Sequence, residues 1–251
     1  MPPSAIYLSP HLDDAVYSCG GLIARQVGQG ASVTVVTVCA GDPPPGLRSP
    51  LARELEVRWG SAEQAVEQRR QEDLEACALL GVAAVHIGLP DAIYRLQEDG
   101  HPLYPDENSL FGGLHPVDEP LIELLAGALD EVASDSAQLY APLGIGGHVD
   151  HQLVRRAAEA LDRPLWRYHD FPYSARQGQP AAGFGRPGGL ASVLPLDEAE
   201  QDAWASAIWT YRSQRSTFWQ NPAQLQRELE AYLAEHSGVP ILAPSDRPGI
   251  P

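Results

Sequence analysis

The chain has 251 residues with 44% hydrophobic content, which is enough to build one large α/β domain with a substantial core. Its formal net charge of −16 disfavours binding to phosphate backbones, so no nucleic-acid partner is expected. All 17 basic residues are arginine, and the absence of lysine excludes Schiff-base chemistry, a pyridoxal phosphate anchor and a P-loop lysine.

Apolar, β-branched runs alternate with segments of helical spacing along the chain. Strands are predicted at residues 5–9, 32–39, 83–89, 138–143 and 165–168, and helices at residues 14–29, 61–80, 117–134, 150–161, 197–216 and 222–235. This order predicts a parallel, doubly wound sheet with helices on both faces and a site at the carboxyl ends of the strands. We expect a single domain over residues 1–244 and a loose, proline-rich tail at residues 245–251.

Location is predicted from the absence of export and membrane signals and from cysteine usage. No stretch approaches the ~20 apolar residues that span a bilayer, so membrane insertion is not expected. The first residues carry no basic segment of the kind that opens a signal peptide. Cys19, Cys39 and Cys77 are odd in number and widely spaced, which indicates buried thiols in a reducing compartment. A cytoplasmic location is therefore expected.

Long loops follow several of the predicted strands. Residues 40–50, 90–116 and 171–195 are of a length that is usually functional in a compact domain. The third loop is rich in glycine and proline, and we expect a mobile rim there with Tyr173 or Arg176 facing a ligand.

Two clusters of histidine and aspartate follow two different strands, at residues 10–14 (PHLDD) and 147–151 (GHVDH). His11 and Asp14 are three apart at a strand-to-helix turn, a spacing that can direct both at one metal ion. His151 would complete a set of two histidines and one carboxylate, which leaves coordination positions open for water and substrate. Capping of a helix by Asp14 is the alternative, but two clusters at the ends of different strands favour a metal site.

Four further segments accompany the two clusters: the RxxExxxAxxxLG spacing from Arg69 to Gly81, Pro90-Asp91, residues 168–173 (YHDFPY) and residues 211–214 (YRSQ). Together with the clusters they resemble the PIG-L/LmbE-like family of metal-dependent N-deacetylases. The resemblance implies a Rossmann-like fold and hydrolysis of an N-acetyl group from an N-acetylglucosaminyl conjugate, giving acetate and a free amino sugar. It further implies Zn²⁺ as the cofactor, with Fe²⁺ or another divalent ion as alternatives.

The resemblance also implies roles for the two clusters. His11, Asp14 and His151 would hold the metal, and Asp13 would stay free as the general base. A metal-activated water needs such a carboxylate to accept its proton during attack on an amide carbonyl.

The tetrahedral oxyanion then needs a partner, for which His148 is the candidate. Asp150 is expected to raise the pKa of His148 or to fix its tautomer. Arg69 and Asp91 match family positions near the sugar, and with Tyr173 they form the predicted substrate-binding set.

Two other classes of function remain open from the residues alone. His11 and Asp13 with a distant His151 imitate the facial triad of Fe(II) oxygenases, although the usual β architecture of those enzymes conflicts with the alternating pattern here. A non-catalytic sugar-binding module that kept a metal cluster is the other alternative, and Asp13, His148 and Asp150 argue against it. A homo-oligomer is also possible.

Overall fold

A computed structural model describes residues 4–46, 48–60, 64–134, 136–177 and 191–244. In this part of the chain the strands are β1 (Ser4–Ser9), β2 (Ser32–Thr37), β3 (Ala83–His86), β4 (Gln138–Pro142), β5 (Leu165–Tyr168), β6 (Ala191–Leu194) and β7 (Val239–Leu242). The α-helices are α1 (Asp14–Gly28), α2 (Pro50–Arg58), α3 (Ala65–Leu80), α4 (Glu107–Leu110), α5 (Leu121–Val132), α6 (Val149–Ala160), α7 (Tyr173–Gln177), α8 (Glu198–Thr210), α9 (Arg212–Arg215) and α10 (Pro222–His236).

The strands form one sheet in the order β3-β2-β1-β4-β5-β7-β6. The first five are parallel neighbours, whereas β7 pairs antiparallel with both β5 and β6. The order β3-β2-β1-β4-β5 is that of a Rossmann-like fold, so the predicted α/β class and predominantly parallel sheet are confirmed.

The two faces of the sheet are buried under different helices, because successive side chains of a strand point to opposite faces. Tyr7 of β1 belongs to a core shared with α1, α3, α8 and α10. Ile6 and Leu8 on either side of it join a second core with α5 and α6. Both sheet faces are therefore covered, as expected of parallel strands that are apolar throughout.

The five predicted strands and most of the predicted helices are confirmed within a few residues. Helix α2 was not predicted; it begins where Ser49 accepts a hydrogen bond from the backbone N–H of Ala52 and Pro50 occupies the first turn. Strands β6 and β7 were also missed, since each has only four residues and β7 contains a proline.

Other differences concern boundaries and loops. The helix predicted at 197–216 is divided at Tyr211, and the loop at 90–116 contains a 3₁₀ turn, Ala92–Tyr94, as well as α4. The predicted tail at 245–251 and the centre of the 171–195 loop lie outside the described residues. No helix in the described part of the chain is both long and apolar enough to cross a membrane.

Helix α8 is fastened to the first helix of the chain by Trp204. Its indole Nε1–H donates to the carbonyl oxygens of Val16 and Tyr17, at 2.9 and 3.0 Å. The ring lies against Gly20, where a Cβ atom would stand 2.5 Å from Trp204 Cδ1. The absence of a side chain at this position therefore allows the two helices to pack closely.

We expect Gly20→Ala to reduce the free energy of unfolding by about 1–3 kcal/mol, the usual cost of overpacking a core. This cost exceeds the gain of up to about 1 kcal/mol that alanine brings to a helix. Gly28→Ala is the matched control, since a Cβ at Gly28 meets no atom within 4 Å. Urea unfolding of both variants tests the packing, and an unchanged midpoint for Gly20→Ala would contradict it.

Candidate active site

Both polar clusters lie at the carboxyl edge of the sheet, where the chain leaves β1 and β4. These strands are parallel neighbours, with Tyr7 opposite Tyr140. The chain continues from β1 to β2 on one side, whereas β4 lies on the other, so the strand order reverses between them. Such a switch point opens a crevice at the carboxyl ends of the strands.

His11, Asp14 and His151 converge in this crevice as a candidate metal-binding group. Asp14 Oδ2 lies 3.2 Å from His11 Nδ1 and 3.2 Å from His151 Nε2. The three ligand atoms stand within 4.8 Å of one another, so a single ion could contact all of them. A second group of this kind joins His11 to His148 and Asp150, whereas Asp13 belongs to neither group.

In both His11 and His151, the ring nitrogen that faces away from Asp14 contacts a second, buried carboxylate. His11 Nε2 lies 2.9 Å from Asp150 Oδ2, and His151 Nδ1 lies 2.7 Å from Asp170 Oδ1. A carboxylate that accepts from one nitrogen fixes the tautomer and directs the other nitrogen outward as a ligand. The three ligand residues, together with the carboxylates that orient the two imidazoles, thus fit a divalent ion.

The same carboxylates control the charge of the two imidazoles. Burial alone would lower the pKa of His11, but Asp91, Asp14 and Asp150 outweigh it and raise that pKa above its usual value. The pKa of His151 is raised to about 10 by Asp14 and Asp170, again against burial. Protons therefore occupy these nitrogens unless a cation replaces them.

Asp13 differs from its neighbour Asp14 in environment. Burial, followed by the charge of Asp14, raises the pKa of Asp13 to about 7, while Arg69 opposes the shift. Arg69 Nη2 lies 4.0 Å from Asp13 Oδ1, beyond hydrogen-bond distance. The pKa of Asp14 is instead held below its usual range, since His151 and His11 outweigh burial. Asp13 can therefore exchange a proton near neutral pH, and Asp14 stays ionised.

His148 is a neutral imidazole in this environment. Burial and the nearby His11 and His151 lower its pKa to about 3. Its Nδ1 accepts the backbone N–H of Asp150 at 3.2 Å, so the ring proton sits on Nε2. The charge of Asp150 raises the pKa of His148, as expected, but burial and the two neighbouring imidazoles outweigh it. His148 can still act as an uncharged hydrogen-bond donor.

The predicted substrate-binding residues all line one cavity of about 320 Å³ above the two clusters. Arg69 Nη1 lies 3.7 Å from Asp91 Oδ2, and its guanidinium stacks on Trp59 at 4.5 Å. The ring of Tyr173 packs beside Gly146, where a Cβ atom would stand 3.5 Å from the ring. That distance is an ordinary contact, so glycine at position 146 is accounted for by its φ of +99°, a backbone conformation that side chains disfavour.

Two of the segments with family resemblance contact each other beneath the cavity. Glu72 on α3 is fully buried and accepts hydrogen bonds from the hydroxyl and the backbone N–H of Ser213. The neighbouring Asp73 accepts from the hydroxyl of Tyr211 at 2.7 Å. These bonds hold the 211–214 segment so that Gln214 lines the cavity.

Sequence reasoning missed the residues that support the metal-binding group from behind. Asp150 accepts hydrogen bonds from the backbone N–H of Ala92 at 3.0 Å and from Arg95 Nη2. Arg95 Nε lies 3.3 Å from Asp118 Oδ2. Asp170, which backs His151, follows β5 closely; its position after a strand and within the family-like segment 168–173 were the signals available.

Two observations exclude the predicted Fe(II) site of His11, Asp13 and His151. The sheet is mainly parallel, and Asp14 rather than Asp13 lies beside the two histidines. Fe(II) oxygenases of that type use a β architecture, and the predicted His-x-Asp pair required Asp13 beside the two histidines. In the structure Asp14 lies between His11 and His151.

Comparison with known proteins agrees with this architecture. A 2'-N-acetylparomamine deacetylase of Streptomyces fradiae is 35% identical over 177 residues, which cover 68% of this chain and 58% of that protein. The chain thus matches less than two thirds of that relative's length. A 1D-myo-inositol 2-acetamido-2-deoxy-alpha-D-glucopyranoside deacetylase of Corynebacterium glutamicum is 27% identical over 83% of this chain and 73% of its own.

A solved structure, the zinc-inhibited form of teicoplanin deacetylase Orf2, superposes with a TM-score of 0.82 and 28% identity over 97% of this chain and 99% of that one. The model of the PIG-L family, described as GlcNAc-PI de-N-acetylase, matches residues 6–161 and so includes both polar clusters. The chain belongs to the PIG-L family.

Proposed function

We propose that this chain is a metal-dependent N-deacetylase that hydrolyses the acetamide of an N-acetylglucosaminyl-type conjugate, giving acetate and a free amino sugar. The observation that carries the proposal is the convergence of His11, Asp14 and His151 at one point of a cavity that also holds the carboxyl of Asp13 outside that set. Similar proteins named as deacetylases of acetylated amino sugars support it.

Zn²⁺ is the proposed ion, and His11, Asp14 and His151 are the residues that would hold it. Two imidazoles and one carboxylate suit zinc and leave positions open, as in catalytic rather than structural zinc sites. A zinc-inhibited form of a similar deacetylase supports zinc binding by this architecture. When bound, such an ion acidifies water and polarises an amide carbonyl.

Asp13 is the proposed proton carrier. It accepts the proton of the attacking water as the oxygen bonds to the carbonyl carbon, and it returns a proton to the nitrogen as the C–N bond breaks. His148 donates its Nε2–H to the oxygen that becomes negatively charged. Arg69 and Asp91 hydrogen-bond the sugar hydroxyls, and Tyr173 closes the cavity beside them.

The proposed partner is a small amino-sugar conjugate, and the proposed location is the cytoplasm. Cys19, Cys39 and Cys77 are free, buried thiols, which supports a reducing compartment. Burial, and after it the charge of Asp150, raises the pKa of the Cys39 thiol well above its usual value, so the thiol is unreactive.

The zinc-loaded protein should release acetate and a primary amine in equal amounts from a panel of N-acetylglucosaminyl conjugates. N-acetylparomamine and the N-acetylglucosaminyl inositol belong in that panel, because similar proteins are named for them. Acetate is measured enzymatically and amine by a fluorogenic reagent. Failure to hydrolyse any member with zinc, with Fe²⁺ or with another divalent ion bound would reject the deacetylase proposal.

We expect His11→Ala, Asp14→Ala and His151→Ala each to lower zinc occupancy, because two remaining protein ligands are too few. Zinc affinity should rise with pH across the neutral range, since the ion must displace the proton that a pKa of about 10 keeps on His151. Competition with a chelator at several pH values measures this. Glu107→Ala, a cavity carboxylate outside the set, is the control. Full occupancy in all three ligand variants would contradict the assignment.

Asp13→Asn should retain zinc but lose at least about a hundredfold in kcat, the usual scale for a general base. Burial raises the pKa of Asp13, so kcat/KM of the zinc-loaded parent enzyme should fall at acid pH as the carboxyl protonates, with a midpoint below 7 because the bound cation lowers that pKa. His148→Ala should lower kcat on a similar scale yet leave this acid limb in place, since the pKa of His148 lies near 3. If Asp13→Asn lost its zinc and Asp14→Asn kept it, the two roles would have to be exchanged.

A further inference from the structure

The cavity has a polar floor and an apolar wall. Its floor carries the histidines and carboxylates of the two clusters, whereas Leu55, Leu110 and Phe111 line one side and Tyr173 and Phe218 line the other. These five residues are called the apolar wall below. None of these residues takes part in the proposed hydrolytic step, and only Tyr173 has been assigned to substrate binding.

The apolar wall begins at the catalytic imidazoles and reaches solvent. The ring of Phe111 meets that of His148 edge-on, with centroids 5.4 Å apart. Tyr173 meets His151 at 6.4 Å and Phe218 at 5.8 Å, both edge-on. A ligand whose amide lies at the floor would therefore extend between aromatic side chains.

Phe111 is the residue that marks the wall as a binding surface. Its side chain is 46% exposed, although it follows directly after the buried Leu110 of α4. Exposed aromatic surface that is continuous with a polar site is typical of ligand-binding clefts. Contact with an apolar group would remove this surface from water, which is favourable in proportion to its area.

Charged groups at the rim disfavour an anionic occupant. Arg58 lines the cavity, but its guanidinium already lies 2.9 Å from Glu54 and 3.5 Å from Glu107. Its charge is therefore matched by two carboxylates, and the whole chain carries −16. An uncharged group meets no such opposition.

We propose that the apolar wall binds an uncharged alkyl or aryl aglycone attached to C1 of the amino sugar. The proposal rests on the proposed deacetylase function, in which the acyl side contributes only a methyl group. The larger part of the substrate must then extend from the sugar toward the mouth, where Phe111 and Phe218 stand.

The test compares methyl, phenyl and hexyl glycosides of N-acetylglucosamine, both anomers of each, together with the methyl glycoside of N-hexanoylglucosamine. We expect kcat/KM to be about tenfold or more higher for the hexyl and phenyl glycosides than for the methyl glycoside, since each buried CH₂ contributes up to ~0.8 kcal/mol. Phe111→Ala should remove most of that preference. Leu124→Ala, which truncates a 70% exposed leucine on α5 away from the cavity, should leave it unchanged.

Binding of the same glycosides to zinc-loaded Asp13→Asn protein, measured by calorimetry, separates the two proposals. Tighter binding of the hexyl glycoside without hydrolysis by the parent enzyme would overturn the deacetylase function and support the wall. Hydrolysis of all glycosides at equal kcat/KM, or a preference that survives Phe111→Ala, would overturn the wall and leave the function intact. Faster hydrolysis of the N-hexanoyl compound than of the hexyl glycoside would also overturn it, because the apolar group would then lie on the acyl side.

Discussion

The arrangement of buried carboxylates around two imidazoles is the constraint on which the site depends. Asp14 lies between His11 and His151, while Asp150 and Asp170 hold the far sides of the same rings. These residues come from segments that follow β1, β4 and β5. Three parallel strands must therefore pair in the correct register before either imidazole is directed at a common point.

Negative charge exceeds positive charge in this region until a cation enters. Five buried or nearly buried carboxylates surround the imidazoles, and two buried arginines balance them only in part; they are Asp13, Asp14, Asp91, Asp150 and Asp170 with Arg69 and Arg95. Burying unpaired charge is costly, so groups in such a place neutralise by taking up protons or by binding a metal. Burial and then the charge of Asp14 raise the pKa of Asp13, and the neighbouring carboxylates keep the pKa of both imidazoles raised.

The sequence predicted what depends on local spacing. Strand and helix alternation, and the His11, Asp14, His151 set at two strand ends, are both visible along the chain, and the structure brings that set together. The support behind it was not predictable in this way. Arg95 reaches Asp150 across 55 residues of sequence, and Asp170 reaches the ligand His151 across 19, through contacts that no spacing encodes. The partner of Asp150 was expected to be its near neighbour His148, but folding brings His11 closer.

The packing of α8 on α1 through Trp204 bears on whether residues 6–161, the part matched by the family model, can fold independently. The family match ends at residue 161, yet Trp204 packs on the helix whose first turn presents Asp14, and Trp219 and Tyr232 fill the same core. A fragment ending at residue 161 would lack α8 and α10 and would expose the part of this core that they cover. The polar clusters thus depend for support on residues beyond the family match. Transplanting the two clusters into another protein would therefore also require an equivalent of α8 and α10 to cover α1.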